Sequence, residues 1–177
     1  MTLRNFEHYS PDIHPSVYID ESAIVIGQVN IGKASSVWPL TVIRGDIQRI
    51  SIGKRTNIQD GSVLHVTHGS EFSLDPEGYP LTIGDDVTIG HKAVLHACTI
   101  NNCCLIGMGA IVLDGATVDS EVIVGAGSTV PPGKMLESGY LWLGSPVKRV
   151  RELSEKERQF LQYSAKHYTE LAKRSKT

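Results

Sequence analysis

The chain has 177 residues, of which 41% are apolar and 20% charged, with seventeen basic and nineteen acidic residues for a formal charge of −2. This balance excludes a disordered chain and provides no basic surface for nucleic acid. No run reaches the roughly 18 apolar residues of a membrane span. Cys98, Cys103 and Cys104 lack disulfide or CxxC spacing, which favours a reducing cytoplasm and a packing role for them. We therefore expect one domain over residues 1–177, with no membrane and no nucleic-acid partner.

An aliphatic residue recurs at every sixth position along most of the chain, and the count restarts three times. The recurring positions, which we call anchors, are all Ile, Leu or Val: Ile13, Ile19, Val25, Ile31, Val37, Ile43, Ile52, Ile58, Leu64, Ile83, Ile89, Leu95, Ile100, Ile106, Val112, Val118, Val124 and Val130. This period predicts one short strand and one tight turn per unit, with three units closing a triangular coil. Glycine often follows the anchor, as in Gly53 and Gly107, and we interpret it as tolerating the geometry of the corner.

The pattern resembles the hexapeptide-repeat family, whose parallel β-helix is left-handed, and the handedness is taken from this resemblance. The predicted fold is mainly β, with a left-handed parallel β-helix over about residues 11–135. The nine-residue step between Ile43 and Ile52 predicts a bulge at residues 45–47. The segment at residues 65–80 is too long for a corner, so we expect an excursion loop there.

A different element follows the repeat. Residues 136–153 form a connector, and Ser154 with Glu157 three residues later has the pattern of a capping box. Apolar residues after it recur at helical spacing. These features predict a C-terminal helix over residues 154–174 that lies along one face of the β-helix.

Two histidines fall into one column of the repeat. Counting anchors in threes places Leu64 and Leu95 on the same face in consecutive coils, and His65 and His96 directly follow them. Their side chains should stack one coil apart, close enough to share a metal ion. Arg44 follows its own anchor in the same column.

His91 belongs to a second column, together with Asp60, on the neighbouring face. It is therefore expected to reach the metal ion of an adjacent subunit in a cyclic homotrimer, and Arg44 and Asp60 could pair across the same junction. Three imidazoles with an open position are typical of catalytic Zn²⁺, although Fe²⁺ or Co²⁺ could occupy the same ligands.

At these residues the chain resembles the γ-class carbonic anhydrases, in particular their short bacterial subgroup. The matching segments are VIRGD at 42–46, RTNIQDGSVLH at 55–65, GHKAVLH at 90–96 and LGSP at 143–146. The resemblance implies zinc-dependent, reversible hydration of CO2 to bicarbonate, or action on another small carbonyl compound. The residue roles that it implies are metal ligation by His65 and His96 of one subunit and His91 of the next, an intersubunit salt bridge between Arg44 and Asp60, a substrate- or hydroxide-holding Gln59 oriented by Asn57 and Asp46, and a Tyr168 placed near the metal.

The chain departs from the most active members of that class at the proton-transfer positions. Ile47 stands where those members have a glutamate, and the loop after His65 lacks their acidic pattern. His68 or Glu71 could transfer protons instead. The departure predicts weak catalysis or none. Two other functions stay open: a hexapeptide acyltransferase with a histidine base, and a metal-stabilised trimeric scaffold or small-ligand binder without turnover.

Overall fold

The computed structural model describes residues 2–73 and 75–176, so that Leu74 of the predicted excursion loop lies outside the described residues. The strands in chain order are β1 Leu3–Arg4, β2 Asp12–Ile13, β3 Tyr18–Ile19, β4 Ile24–Ile31, β5 Ser36–Val37, β6 Val42–Ile52, β7 Asn57–Ile58, β8 Val63–His65, β9 Thr67–His68, β10 Gly78–Tyr79, β11 Leu81–Ile83, β12 Thr88–Ile89, β13 Val94–His96, β14 Thr99–Ile100, β15 Leu105–Ile106, β16 Ile111–Val112, β17 Thr117–Val118, β18 Ile123–Val124, β19 Thr129–Val130, β20 Met135–Leu136, β21 Tyr140–Gly144 and β22 Val147–Glu152. The helix α1 spans Glu155–Arg174.

The anchors form three parallel ladders, one on each face of a prism. Face A carries the ladder from Ile13 to Leu136. Face B runs from Ile19 to Trp142, and face C from Val25 to Val130. The parallel β-helix predicted from the six-residue period is confirmed, as is the left-handed class of β-helix that was taken from the resemblance.

The anchors fill the interior of the prism. Those from Val25 onward are buried, whereas Ile13 and Ile19 in the first coil are only partly buried. At the open end, strand β1 pairs with β4 and places Leu3 beside Val25. This strand precedes the repeat and has no six-residue signature, so the sequence pattern did not predict it.

The two predicted interruptions take defined shapes. The pairing of β4 with β6 shifts between Gly27 and Val29, where β6 carries the extra residues after Gly45. Within the excursion loop, β9 and β10 form an antiparallel pair that sets Thr67 beside Tyr79.

The connector is more ordered than the sequence pattern indicated. Strand β21 adds to face B beside β18, and β22 folds back antiparallel to it. Helix α1 then begins after Ser154, whose side chain accepts a hydrogen bond from the Glu157 backbone, so the capping box is confirmed. The helix buries Leu161, Ser164 and Ala165 and packs on strands β5, β7 and β12 of face B.

The glycines after the anchors have a different role from the one predicted. The left-handed corner position lies three residues after the anchor, and Ala34 and Arg55 occupy it with φ of 62° and 53°. A Cβ at Gly53 would lie 2.6 Å from the Gly84 carbonyl carbon, and one at Gly107 would lie 2.4 Å from the Ala126 nitrogen. These glycines are therefore required by the close approach of stacked coils.

Candidate metal centre

Two imidazole rings face each other at the ends of β8 and β13. The parallel pairing sets His65 beside His96, and their ring centroids are 5.2 Å apart. His65 Nδ1 lies 3.1 Å from His96 Nε2. The structure therefore brings together the two histidines of the predicted column, with one nitrogen of each ring turned toward the other.

The opposite nitrogen of each ring is held by an aspartate. His65 Nε2 lies 3.0 Å from Asp46 Oδ1, and His96 Nδ1 lies 2.6 Å from Asp114 Oδ1. Because an ionised carboxylate only accepts hydrogen bonds, each neutral ring carries its proton on that side. The two facing nitrogens then both present lone pairs, which repel each other unless a cation lies between them.

This donor pair fits a metal ion. Two nitrogens bound to one Zn²⁺ at about 2.0–2.1 Å in tetrahedral geometry lie about 3.3–3.4 Å apart, close to the observed 3.1 Å. Across the described ranges 2–73 and 75–176, no group of three or more His, Cys, Asp or Glu side chains is arranged to hold a metal ion. A complete site therefore needs a donor beyond this pair.

The electrostatics around His65 favour a neutral imidazole beside an ionised Asp46. Burial lowers the pKa of His65, and the charge of Arg44 adds to that effect against the hydrogen bond with Asp46. Burial alone would raise the pKa of Asp46, but hydrogen bonds from Arg44 and His65 bring it below its usual value. The same balance lowers the pKa of Asp114, where Thr67 and His96 oppose the effect of burial. Neutral imidazole is the form that binds metal ions.

His91 lies on face B, away from the pair on face C. Its Nδ1 is 2.9 Å from Asp60 Oδ2, and both side chains are nearly half exposed. The anchors Ile58 and Ile89 pair in the ladder, which stacks Asp60 and His91 as predicted. The hydrogen bond leaves Nε2 of His91 free of the carboxylate and available to a ligand at the surface.

The predicted salt bridge between Arg44 and Asp60 is not formed within one chain. Arg44 donates to Asp46, and Asp60 contacts His91. Asp60 therefore contacts the predicted ligand His91 directly, whereas Arg44 is linked to the predicted ligand His65 through Asp46.

Gln59 and Tyr168 line a groove between face B and helix α1. The groove has a volume of about 360 Å³, and its walls include His91, Met108 and Ser164. Gln59 Nε2 donates to Asn57 Oδ1 at 3.0 Å, which is the contact that orientation of Gln59 by Asn57 requires. Asp46 contacts Arg44 and His65 within the chain, not Gln59.

Aromatic packing holds Tyr168 at the edge of this groove. The Trp38 ring packs edge-on at a centroid distance of 5.6 Å. Burial and the charge of Asp60 raise the pKa of Tyr168. Its hydroxyl therefore stays protonated at neutral pH and can donate a hydrogen bond.

The two predicted proton-transfer residues lie on the excursion loop. His68 and Glu71 are both exposed. His68 lines a second cavity of about 370 Å³ whose walls include Thr67, Tyr79 and Asp114. The cavity is therefore connected to His96 through Asp114, which contacts that histidine, whereas Glu71 is not among the lining residues.

Asp114 and Thr67 were not identified from the sequence. Thr67 donates to Asp114 Oδ2 and so ties the excursion loop to the carboxylate that holds His96. Asp114 precedes Gly115 at a corner, where Asp-Gly is an ordinary turn pattern. The sequence feature that could have identified Asp114 is its position one coil, or 18 residues, after His96.

The three cysteines are free thiols. Cys98 and Cys104 are buried, and burial raises the pKa of Cys98 and brings that of Cys104 to about 12. Burial also raises the pKa of Cys103. Thiols in this state are poor nucleophiles and poor metal ligands, consistent with packing roles.

No helix in the described part of the chain is long and apolar enough to cross a membrane.

No protein-family model matches the chain, but individual proteins do. It is 56% identical over 166 residues to Protein YrdA of Escherichia coli, covering 94% of this chain and 89% of that protein. It is 43% identical over 171 residues to the mitochondrial Gamma carbonic anhydrase 2 of Arabidopsis thaliana, covering 97% of this chain but 60% of that longer protein.

Two solved structures are similar over nearly the whole chain. A hexapeptide transferase family protein from Anaplasma phagocytophilum has a TM-score of 0.89 at 40% identity, covering 97% of this chain and 96% of that chain. A putative acetyltransferase from Bacillus cereus has a TM-score of 0.91 at 38% identity, covering 98% of this chain and 96% of that chain.

Proposed function

Since this chain belongs to the hexapeptide-repeat family of γ-carbonic-anhydrase-like proteins, we propose that it is a metal-dependent lyase that hydrates CO2 at subunit junctions. The observation that carries the proposal is the facing pair His65 Nδ1 and His96 Nε2, 3.1 Å apart, with each ring held from behind by a carboxylate. These residues would hold a Zn²⁺ ion, which would supply a nucleophile at neutral pH by lowering the pKa of water to about 7.

The third ligand in this proposal is His91 of a neighbouring subunit in a homotrimer. Bringing His91 to the pair also brings its partner Asp60 toward Arg44, which contacts Asp46 beside His65. The approach of His91 to the neighbouring pair therefore also accounts for the proposed intersubunit salt bridge between Arg44 and Asp60.

The surface around the pair supports such a junction. Val63 and Ile111, which flank the histidine column on face C, are 40% and 36% exposed. Covering these aliphatic side chains with a second subunit removes apolar surface from water, which favours association at this face.

Gln59 and Tyr168 complete the proposed chemistry on the His91 side. Because Gln59 Nε2 donates a hydrogen bond to Asn57, its Oε1 is the atom that can accept a hydrogen bond from a protonated oxygen in the groove. The Tyr168 hydroxyl can donate a hydrogen bond to an oxygen of CO2 or bicarbonate. His68 is the proposed proton carrier, with exposed Glu71 as the alternative. Ile47, which is 43% exposed, stands where the most active members have a glutamate. Proton transfer from this position is therefore absent in the proposal, and we expect slow turnover.

A second candidate is a hexapeptide acyltransferase, favoured by the transferase structures of similar fold and by the groove that carries His91. Metal analysis and the mass of the purified oligomer separate the two. The lyase requires about one metal ion per subunit in a trimer, and His91→Ala should release the metal. A metal-free protein that transfers acyl groups from CoA would overturn the lyase proposal.

A metal-stabilised scaffold is the third candidate, and stopped-flow CO2 hydration distinguishes it. The rate should exceed that of a His96→Ala control and rise with the concentration of a proton-carrying buffer. A rate equal to the control at every buffer concentration assigns the scaffold function instead. We propose a cytoplasmic location, supported by the three free thiols.

A further inference from the structure

A chain of buried polar side chains joins Gln59 to helix α1. Gln59 Nε2 donates to Asn57 Oδ1 at 3.0 Å, and Asn57 Nδ2 donates to Thr88 Oγ1 at 3.0 Å. Thr88 Oγ1 lies 2.9 Å from Ser164 Oγ on the helix. The four residues are between 1% and 7% exposed. Buried polar groups with this degree of pairing fix side-chain orientation as well as contributing stability.

A backbone carbonyl sets the direction of this chain. Asn57 Nδ2 also lies 3.4 Å from the Val87 carbonyl oxygen, which can only accept. Turning the Asn57 amide over would bring two acceptors together, so its nitrogen must face Val87 and its oxygen must face Gln59. Gln59 must then donate through Nε2. In the part of the chain that the structure describes, no hydrogen bond uses Gln59 Oε1.

We propose that Thr88 and Ser164 are positioning residues. They hold the Asn57 amide in the orientation that the Val87 carbonyl sets, so that Gln59 presents an acceptor, rather than a donor, to the groove. The acceptor selects a protonated oxygen there, a water or a hydroxyl, and rejects an unprotonated anionic oxygen. The inference rests on the proposed function only in assigning that oxygen to CO2 hydration. Helix α1 thereby influences the groove indirectly: Ser164 acts through Thr88 and Asn57 on the side-chain amide of Gln59.

The test begins with an observation that needs no activity. Glutamine side-chain amides are isotope-labelled in the full-length protein, and the Gln59 signal is assigned by its loss in Gln59→Leu. In the wild type, the Gln59 amide protons should exchange slowly with solvent. Thr88→Val, which keeps the shape and removes the hydroxyl, should speed that exchange about tenfold or more, and Thr88→Ser should restore it. Ser164→Ala should have a smaller effect in the same direction.

A matched control variant is available on another face. Thr117 precedes Val118 on face A as Thr88 precedes Ile89 on face B, and Thr117→Val should leave the Gln59 amide unchanged. Unchanged exchange in Thr88→Val, or an equal change in Thr117→Val, overturns the proposal.

Activity is the second readout. In zinc-loaded protein, Thr88→Val should lower kcat about tenfold to a hundredfold while KM, metal content and oligomer mass stay at wild-type values, with Thr88→Ser recovering most of the rate. Wild-type-like kcat in Thr88→Val would overturn the positioning role. A wild type with no CO2 hydration would instead overturn the proposed function, and the amide exchange would still decide the positioning.

Discussion

Asp114 lies one coil beyond His96, and its Oδ1 is 2.6 Å from His96 Nδ1. Its other oxygen accepts from Thr67 on the excursion loop. The carboxylate therefore contacts the nitrogen of His96 that does not face His65, and it fixes that nitrogen as the one that carries the ring proton. It also links the loop to the histidine pair.

Asp114→Asn should weaken metal binding. The amide keeps the shape of the side chain but loses the charge that stabilises the ring proton and raises the basicity of His96 as a ligand. Replacement of such a partner typically costs about tenfold to a hundredfold in metal affinity. Competition with a chelator of known affinity measures the change. Asp119→Asn serves as the control, because Asp119 contacts Asn101 on face A, and an equal loss in both variants would contradict the role given to Asp114.

How much of this site the sequence predicts depends on register. The six-residue count alone places His65 beside His96 and Asp60 beside His91, because each anchor fixes the residues directly after it. It cannot predict Asp114, since an aspartate at a corner is also an ordinary turn residue. Ser164 is also beyond it, because its contact with Thr88 depends on how helix α1 docks on face B.

The glycines show the same limit in the fold itself. An anchor followed by glycine is visible in the sequence, but its cause lies in the neighbouring coil. Gly53 is required by the backbone of Gly84 beside it, whereas the corner conformation is adopted by residues such as Ala34 and Ala97, with φ of 62° and 49°. The six-residue count therefore locates these glycines, but the reason that no larger residue fits there is seen only in the contact between stacked coils.

Gly53→Ala should therefore destabilise the fold more than Gly109→Ala. A Cβ at Gly53 meets the Gly84 carbonyl carbon at 2.6 Å, while one at Gly109 meets nothing within 4 Å. We expect a loss of about 3 kcal/mol in the free energy of unfolding at Gly53, at the upper end of overpacking costs, and about 1 kcal/mol at Gly109 for its left-handed backbone. Denaturant unfolding measures both. Equal losses would show that contact between coils is not what requires glycine after the anchor.

Glu157 gives a pH dependence at the start of helix α1. Hydrogen bonds from Arg151, followed by those from Ser154, lower the pKa of Glu157 from 4.5 to about 2. Because its pKa in the folded state is depressed, its stabilising contribution is complete above pH 4.5 and is lost as the pH falls toward about 2. The side chain is accessible to solvent, so Glu157→Gln should cost only about 0.5 kcal/mol at neutral pH.

That difference between Glu157→Gln and the wild type should shrink through the same acidic range, as measured by thermal unfolding at each pH. Glu155→Gln is the matched control, because Glu155 lies in the same first turn and contacts Gln159 instead of Arg151. A difference that persists at the acidic end would show that Glu157 acts through its shape and not its charge.

The shared site can be tested by mixing two defective subunits. His65→Ala lacks one ligand of the pair on face C, and His91→Ala lacks the ligand on face B, so each variant alone should bind little metal. In a trimer refolded from equal amounts of both, a junction is complete only when a His91→Ala subunit supplies the pair and a His65→Ala subunit supplies His91. Random assembly makes about a quarter of the junctions complete, and metal content and CO2 hydration should recover to that fraction of the wild type. Mixing His65→Ala with His96→Ala is the control and should restore nothing, because both lack part of the same pair. Recovery in the control, or none in the first mixture, would contradict a site shared between His91 of one subunit and the pair of the next.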